Sequence, residues 1–335
     1  MNFDINLFDK SNYEKIKINN IKKNIKVTKR YIHKFDYTLL IIVLFLILVL
    51  MNLYSKNKHK NIQRENVVNI DIYKCKIVKE KLLNRFKPFD FNEEFTFLAE
   101  LISCDIPFSF SRFGDGENSI MNGKKFYTTR DKWYWNPDNK IVQNSLIESS
   151  SICNYNNGFI GIPCKIWKEI AESIISFSNC SSTKFMSYST VFINKNFENF
   201  KSWIIQYIYS SNRRKIILIA NSLINKNISW AYKFFPVPNN LIENWNNYIP
   251  SLISKLSEIA KLNNLIFFIS AGPAANILIS YLIKINNKNI YIDFGSAIEF
   301  ITKGYSTRNY YKKSIENTNY QCNSFIIKNG TILYE

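Results

Sequence analysis

Two acidic residues separated by a single glycine, Asp115 and Glu117, form the part of this sequence best suited to chemistry. They belong to the run RFGDGE, which begins at Arg112, and the glycines Gly114 and Gly116 leave the backbone bare enough for a bulky anion to approach. Two carboxylates directed at one point suit a hard divalent cation that bridges to phosphates, and a guanidinium adds a planar phosphate donor. The run therefore indicates a metal–phosphate site, with an ordinary Asp-Gly hairpin turn as the alternative.

A second loop with similar chemistry follows a later strand and begins at Ser270 in the run SAGPAA. Gly272 permits close backbone approach, and Pro273 suits the first turn of a helix, whose unpaired N–H groups can meet an anion. The run matches neither a Walker loop nor a dinucleotide-binding fingerprint. We predict that Ser270, Gly272, Pro273 and Ala274 hold the phosphates of a ligand, with a tight structural turn as the alternative.

Three further polar residues stand at the ends of predicted strands. Asp293 ends the strand Ile290–Asp293, Glu299 follows it closely, and Asn221 follows the strand Lys215–Ala220. Because ligands bind at the carboxyl edge of a parallel sheet, we expect all three to lie beside RFGDGE and SAGPAA.

Short apolar strands that alternate with helices must position these residues. Strands are predicted from Phe108 to RFGDGE and over Phe159–Pro163, Lys215–Ala220, Phe234–Val237, Leu265–Ser270 and Ile290–Asp293; helices are predicted over Ile166–Phe177, Phe197–Ser210, Trp245–Leu262 and Pro273–Ile285. We expect Asn118 and Ser119 to cap a short helix after the RFGDGE turn. This alternation is typical of an α/β fold with a Rossmann-like, mostly parallel sheet and helices on both faces.

The segment Lys124–Pro137 is dense in basic and aromatic residues, among them Tyr127 and Trp133. Rings of this kind stack on sugars or bases, or they pack in a core. The sequence leaves both interpretations open.

Composition excludes several kinds of active site. The two histidines, His33 and His59, lie outside residues 61–335, so that region holds no Ser-His-Asp triad, histidine base or histidine-bound zinc. Carboxylates must then carry any acid–base or metal chemistry.

The formal charge of +18 divides into +8 for residues 1–60 and +10 for the remainder. The heavy use of Ile, Asn, Lys, Phe and Tyr is what AT-rich coding would give without selection for charge, so we expect no nucleic-acid partner. The positive balance still favours an anionic substrate.

The N-terminal part indicates a membrane anchor. Residues 1–36 form a polar basic arm, and residues 37–55 carry no charge and include the apolar run Leu39–Met51. This pattern predicts one transmembrane signal anchor, followed by a charged stem over 56–80 and a catalytic domain over 81–335. Six basic residues lie shortly before the span, between Lys22 and Lys34, and five lie shortly after it, between Lys56 and Lys74. We expect a single-pass protein of the ER or Golgi membrane with a lumenal catalytic domain, a cytosol-facing domain being the alternative.

The six cysteines do not decide the compartment. None forms a C-x-x-C pair. Six cysteines are compatible with three disulfides in an oxidising compartment or with buried thiols in a reducing one.

Taken together, the runs RFGDGE, SAGPAA and YIDFGSAIE, the last of which ends at Glu299, resemble the GT-D-fold glycosyltransferases. The resemblance covers roughly Leu98–Phe300. In that family a D-x-E motif binds a divalent metal and the diphosphate of a nucleotide sugar. This chain has Ser296 and Glu299 where many members have histidine and aspartate.

The resemblance implies specific roles at matching positions. Asp115 and Glu117 fall on the metal motif, Gly272 and Pro273 on the donor loop, and Asp293 on the acid after the last strand. It implies Mn²⁺ or Mg²⁺ as cofactor, a UDP-sugar as donor and a glycan or glycoprotein as acceptor.

We therefore predict a metal-dependent glycosyltransferase, anchored in the membrane through residues 37–55. Asp293 and Glu299 are the candidates for a general base or a sugar contact. One alternative is a metal-dependent phosphohydrolase or nucleotidyltransferase that uses the same carboxylates. Another is a non-enzymatic, membrane-anchored basic binding protein in which the Asp-Gly turn is inert.

Overall fold

The structure is a computed structural model in which the chain forms two compact units, Met1–Asp71 and Ile72–Glu335. The residues it describes are 72–128, 133–155, 157–180, 182–210, 213–222, 228–239, 241–306, 308, 322, 324–328 and 331–334, with residues 19, 20, 22, 24 and 45–51 of the first unit. All further description concerns the second unit except where stated.

Only part of the predicted anchor is described. Residues 45–51 are helical, while residues 37–44 and 52–55 lie outside the described residues, as do most of the predicted arm and residues 56–71 of the predicted stem. Within the part of the chain that the structure describes, no helix has the length and apolar composition needed to cross a bilayer.

The centre of the second unit is a seven-stranded sheet in which every strand pair is parallel. Its strands are β1 (Ser109–Arg112), β4 (Gly158–Ile162), β5 (Met186–Tyr188), β6 (Lys215–Asn221), β7 (Lys233–Val237), β8 (Leu265–Ser270) and β9 (Ile290–Asp293). They lie side by side in the order β5-β4-β1-β9-β8-β6-β7. The register places Arg112 beside Gly161 and Phe110 beside Ile292, so β1 pairs with β4 and β9. The predicted α/β class with a parallel sheet is therefore confirmed.

Helices cover both faces of the sheet. They are α1 (72–84), α2 (Phe91–Ser103), α3 (Asp115–Met121), α4 (Lys140–Ser149), α5 (Lys168–Ser178), α6 (Phe197–Tyr209), α7 (Trp245–Ala260), α8 (Ala274–Ile285) and α9 (Glu299–Thr302). On β8, the adjacent residues Phe267 and Phe268 point to opposite faces. Phe267 stacks on Tyr291, whose hydroxyl donates to Asn286 at the end of α8. Phe268 instead lies 6.3 Å from the ring of Tyr207 on α6, which places α6 and α8 on different faces.

In the described part of the chain, two antiparallel hairpins stand outside the main sheet. One joins β2 (Phe126–Thr128) to β3 (Trp133–Trp135), and the other joins β10 (Phe325–Lys328) to β11 (Thr331–Tyr334). The ring of Phe325 packs on Tyr188 of the edge strand β5. The second hairpin therefore covers that end of the sheet.

Disulfides pair all six cysteines, as Cys75–Cys104, Cys153–Cys180 and Cys164–Cys322. The first ties α1 to the end of α2, and Val78 and Leu82 of α1 are buried in the core. The compact unit thus includes residues 72–80, which fall in the segment expected to be a stem. The third connects residues 158 positions apart and anchors the C-terminal segment to the loop after β4.

A buried ion pair holds α1, α2 and β5 together. The guanidinium of Arg85 donates to both carboxylate oxygens of Glu94, at 2.7 and 2.9 Å, and to the carbonyl oxygens of Lys184 and Met186. Both side chains are fully buried, and the ring of Phe97 lies 5.2 Å from the guanidinium carbon. Because the pair is desolvated but well hydrogen-bonded, removing one partner leaves an uncompensated buried charge.

Candidate functional site

A cavity of about 1230 Å³ opens at the carboxyl edge of the sheet, between the ends of β1 and β9. After β1, the chain forms β4 and β5 on one side of β1. It then crosses to the other side, where β6, β7 and β8 form before β9, which lies next to β1. The strand order therefore reverses at β1 and β9, which is where parallel sheets bind ligands. Among the described residues, the loops after β1, β4, β5, β7, β8 and β9 contribute to the cavity wall, and β6 contributes its last residue, Asn221. Ten predicted site residues line it: Arg112, Gly114, Asp115, Gly116, Glu117, Asn221, Ser270, Gly272, Pro273 and Glu299.

The acidic pair lies on a helix rather than in a hairpin turn. Helix α3 begins at Asp115, directly after the N-cap residue Gly114, so the expectation that Asn118 and Ser119 cap this helix is wrong. The reason is that the Glu117 carboxylate accepts a hydrogen bond from the Gly114 N–H, at 2.9 Å, and so caps the helix from its third position. Asp115 is exposed and Glu117 partly buried.

The electrostatics of Glu117 differ from those of a solvated turn acid. Burial raises the pKa of its carboxyl group to about 7, and the nearby carboxylates of Asp293 and Asp115 add to the rise. The Gly114 N–H opposes it. The negative charges of Asp293 and Asp115 therefore both act on Glu117, which lines the cavity, and a cation would be stabilised at this position.

The carboxylates at this site suit a metal ion that substrate and water also coordinate, rather than one held by protein ligands alone. No group of three or more His, Cys, Asp or Glu side chains arranged to hold a metal occurs among the described residues. Mg²⁺ is usually held by one or two carboxylates, with waters and substrate phosphates completing its coordination. Asp115 and Glu117 meet that requirement, since both line the cavity and Glu117 sits where negative charge is concentrated.

Arg112, which lines the cavity, forms an ion pair with the buried Asp293. The Arg112 Nε donates to Asp293 Oδ2 at 3.3 Å, and its Nη1 donates to the Ser189 carbonyl. The other carboxylate oxygen of Asp293 accepts from the Gly295 N–H at 2.8 Å. Gly295 has a φ of +48°, and a Cβ at this position would overlap the Arg112 guanidinium. The guanidinium is thus fixed by its surroundings, with 19% of the side chain exposed.

Asp293 is buried and does not line the cavity. Burial raises the pKa of its carboxyl group, against the lowering effect of Arg112. With both oxygens engaged, Asp293 is placed to hold Arg112 and the loop after β9, and not to contact a substrate. Ala274, at the start of α8, is likewise buried and does not line the cavity.

The loop after β8 brings the N-terminus of α8 to the cavity. Gly272 has a φ of +55°, a conformation that glycine adopts without steric cost, and Pro273 is the N-cap residue. The Asn276 side-chain amide donates to the Arg112 carbonyl at 2.8 Å. The first turn of α8 is therefore fastened to the end of β1, beside the acidic pair.

Trp133 lies between the two predicted glycine loops. A Cβ added at Gly116 would be 3.1 Å from its ring, and one added at Gly272 would be 4.0 Å from its indole nitrogen. Phe126 lies 5.0 Å from Trp133, centroid to centroid. Of the two interpretations of this aromatic segment, Trp133 and Phe126 therefore belong to the cavity wall, whereas Trp135 is buried in the core.

Glu299 and Asn221 occupy different parts of the wall. Glu299 begins α9 and is 8% exposed, and its carboxylate accepts a hydrogen bond from the Lys303 ammonium at 2.8 Å. Asn221 ends β6, and its side-chain amide donates to Asn239 after β7. The structure therefore brings Glu299 near β9 and Asn221 to the β6–β7 side.

Sequence reasoning did not identify the residues that line the cavity after β4 and β5. They include Pro163, Cys164, Ile166, Trp167, Ser189 and Thr190. β5 has three residues, too few to show periodicity. The available signal in the sequence was the tryptophan at position 167, shortly after the predicted strand Phe159–Pro163.

No protein-family model matches this chain, and no curated protein is significantly similar to it. Two solved structures do match over 75% of this chain and 90% of their own length, each at 15% sequence identity. One is described as a domain of unknown function 1792 with a distinct glycosyltransferase fold, at a TM-score of 0.45. The other is a selenomethionine-substituted structure of domain of unknown function 1792, at a TM-score of 0.44. Similarity at this level carries no conclusion about what this chain does.

Proposed function

We propose that this chain is a metal-dependent glycosyltransferase that moves a sugar from a UDP-sugar to a hydroxyl group of a glycan or glycoprotein. The observation that carries the proposal is the meeting of two elements at one cavity. The acidic pair Asp115 and Glu117 and the Gly272–Pro273 loop, far apart in sequence, line the same space where the strand order reverses.

The size of the cavity supports a reaction between two substrates. Ligand pockets that enclose one drug-sized molecule have volumes of roughly 300–1,000 Å³. At about 1230 Å³, this cavity has room for a nucleotide sugar and part of an acceptor. A site for a single small phosphate ester would not need that space.

The donor is held by the β8 side of the cavity. The N–H groups in the first turn of α8 favour the negative charge of a diphosphate, and Gly272 lets those oxygens approach the backbone. Asp115 and Glu117 would hold Mn²⁺ or Mg²⁺ against the same diphosphate. When bound, the ion supplies charge neutralisation at the departing diphosphate.

In the transfer step, Glu299 and Asp293 have different roles. An acceptor hydroxyl oxygen bonds to the anomeric carbon as the bond from that carbon to the diphosphate oxygen breaks. Glu299, which lines the cavity, accepts the hydroxyl proton or binds a sugar hydroxyl. Asp293 acts as a positioning residue, because its oxygens hold Arg112 and the Gly295 backbone.

The disulfides support the proposed location. Three disulfides within one compact unit are typical of proteins that fold in an oxidising compartment. We therefore place the catalytic unit in the lumen of the secretory pathway, with residues 37–55 as the anchor. Protease digestion of sealed vesicles tests this topology, since cleavage of the large unit from the cytosolic side would contradict it.

The function is tested by screening nucleotide sugars for stabilisation of the full-length protein, with and without Mn²⁺ or Mg²⁺. We expect a metal-dependent rise in melting temperature with one or a few UDP-sugars, followed by acceptor-dependent release of UDP. Hydrolysis that acceptors do not stimulate would instead support a phosphohydrolase. Ligand binding that depends on salt concentration but not on metal would support a non-enzymatic binding protein.

A further inference from the structure

We infer that the half of the cavity formed by the loops after β4 and β5 binds the acceptor, and that the acceptor is a saccharide whose ring stacks on Trp167. This inference rests on the proposed function, because it names the second substrate of the same site. Nothing in the sequence motifs points to this half of the cavity.

The topology divides the cavity into two halves. β4 and β5 lie on one side of β1, and β8, β6 and β7 lie on the far side of β9. The Gly272 loop and Asn221 are on the β8–β6 side, which the donor fills in our proposal. The opposite half is therefore the part of the cavity left for a second substrate, and it adjoins the acidic pair at the end of β1.

Two large apolar side chains are exposed in this opposite half. Trp167 is 51% exposed and Ile166 is 45% exposed, although both follow a fully buried strand. Both line the cavity. An indole that presents a large open surface inside a cavity offers a flat apolar platform, which suits the C–H face of a sugar ring.

The backbone that carries Trp167 is held from several directions. Its N–H donates to the Cys164 carbonyl at 2.8 Å within a short 3₁₀ turn, and Cys164 is bonded to Cys322. The Tyr334 hydroxyl of the C-terminal hairpin donates to the Pro163 carbonyl. With the backbone held in this way, ligand binding costs little backbone conformational entropy on the protein side.

Polar groups lie along the same half of the cavity. Ser189 and Thr190 follow β5, Asn194 lies beyond them, and the Glu299–Lys303 ion pair stands at the β9 side. A saccharide needs both an apolar surface for its ring and hydrogen-bonding partners for its hydroxyls. This combination separates a saccharide site from a purely apolar groove.

The test compares Trp167→Ala with Trp167→Phe, which keeps an aromatic ring. Tyr209→Ala is the matched control, because Tyr209 is 75% exposed on α6 and does not line the cavity. Binding of methyl glycosides of common hexoses and N-acetylhexosamines to the full-length protein is measured by saturation-transfer NMR. Binding of UDP with Mn²⁺ is measured separately by calorimetry.

We expect Trp167→Ala to weaken saccharide binding, and to raise the acceptor KM, by about five- to tenfold. Trp167→Phe and Tyr209→Ala should retain binding, and UDP affinity should be unchanged in all three variants. Saccharide binding by Trp167→Ala within twofold of wild type would overturn the inference, as would a wild-type protein that binds none of the glycosides. Saccharide binding that depends on Trp167 in a protein that fails to bind UDP would uphold the saccharide site and contradict the glycosyltransferase proposal.

Discussion

At the scale of single residues, Glu117 joins helix capping to the proposed metal chemistry. Its carboxylate accepts from the Gly114 N–H, yet burial raises the pKa of the group to about 7. The group therefore holds its proton to a higher pH than an ordinary carboxyl, and a bound cation would favour its ionised form. A solvated turn acid would show neither property.

This leads to a prediction for stability in the presence of chelator. The folded-state pKa of Glu117 lies above its ordinary value of 4.5, so between about pH 4.5 and 7 the native state binds more protons than the unfolded state. The contribution of this group to the free energy of unfolding is thus present at low pH and is lost as the pH rises towards 7. Urea denaturation at several pH values should show a shallower decline for Glu117→Gln.

The exposed helical acid Glu169 provides the control, and Glu169→Gln should leave the decline unchanged. If Glu117→Gln and wild type lose stability in parallel over this range, the carboxyl group of Glu117 does not titrate as described.

A second residue-scale prediction concerns Gly272. Its φ of +55° would strain a valine, so Asn, which tolerates the left-handed conformation, is the better probe of the donor loop. We expect Gly272→Asn to raise the donor KM about tenfold or more with little change in melting temperature, because the new side chain occupies space near the diphosphate. Steady-state kinetics with the donor varied measures this effect.

Gly123→Asn is the matched control, since Gly123 also has a positive φ, of +66°, and lies away from the cavity. A donor KM for Gly272→Asn equal to that of Gly123→Asn would reduce the loop to a structural turn.

At the scale of elements, most of the main sheet could be predicted from the sequence. Strands such as Leu265–Ser270 and Ile290–Asp293 are continuous apolar runs that end in turn residues, and the structure has them with the predicted bounds. β5 was missed because its three residues, Met186–Tyr188, carry no periodic signal. The start of α3 was misplaced because the helix is capped by the hydrogen bond from the Gly114 N–H to the Glu117 carboxylate. Asn118 and Ser119 are residue types that often cap helices, so the sequence pattern favoured them instead.

The ion pair between Arg85 and Glu94 gives an element-scale prediction. Glu94→Ala should lower the free energy of unfolding by about 3–5 kcal/mol, since it leaves the Arg85 charge buried without its partner. Glu93→Ala, on the same helix, is the control. Glu93 is 53% exposed and lies 3.9 Å from Lys81, so its loss should cost at most about 1 kcal/mol. Equal losses in chemical denaturation would show that the buried pair does not hold α1 and β5 in place.

At the scale of the whole molecule, the cavity could be predicted in part. The rule that ligands bind at the carboxyl edge correctly gathered Asp115, Glu117, Gly272 and Glu299 around one space. The half of the cavity around Trp167 could not be predicted, because it depends on β5 and on the pairing of Cys164 with Cys322. Spacing in the sequence does not determine such a pairing.

The central claim is that Asp115 and Glu117 act together through one divalent ion. Its most direct test is acceptor-dependent transfer by wild type, Asp115→Asn, Glu117→Gln and the double variant, each with chelator and after addition of Mn²⁺ or Mg²⁺. We predict that chelation abolishes wild-type transfer and that metal restores it. Each single variant should lose on the order of several kcal/mol of transition-state stabilisation, and the double variant little more than the worse single one. Chelator-resistant transfer at a near-wild-type rate by a folded double variant would contradict the account.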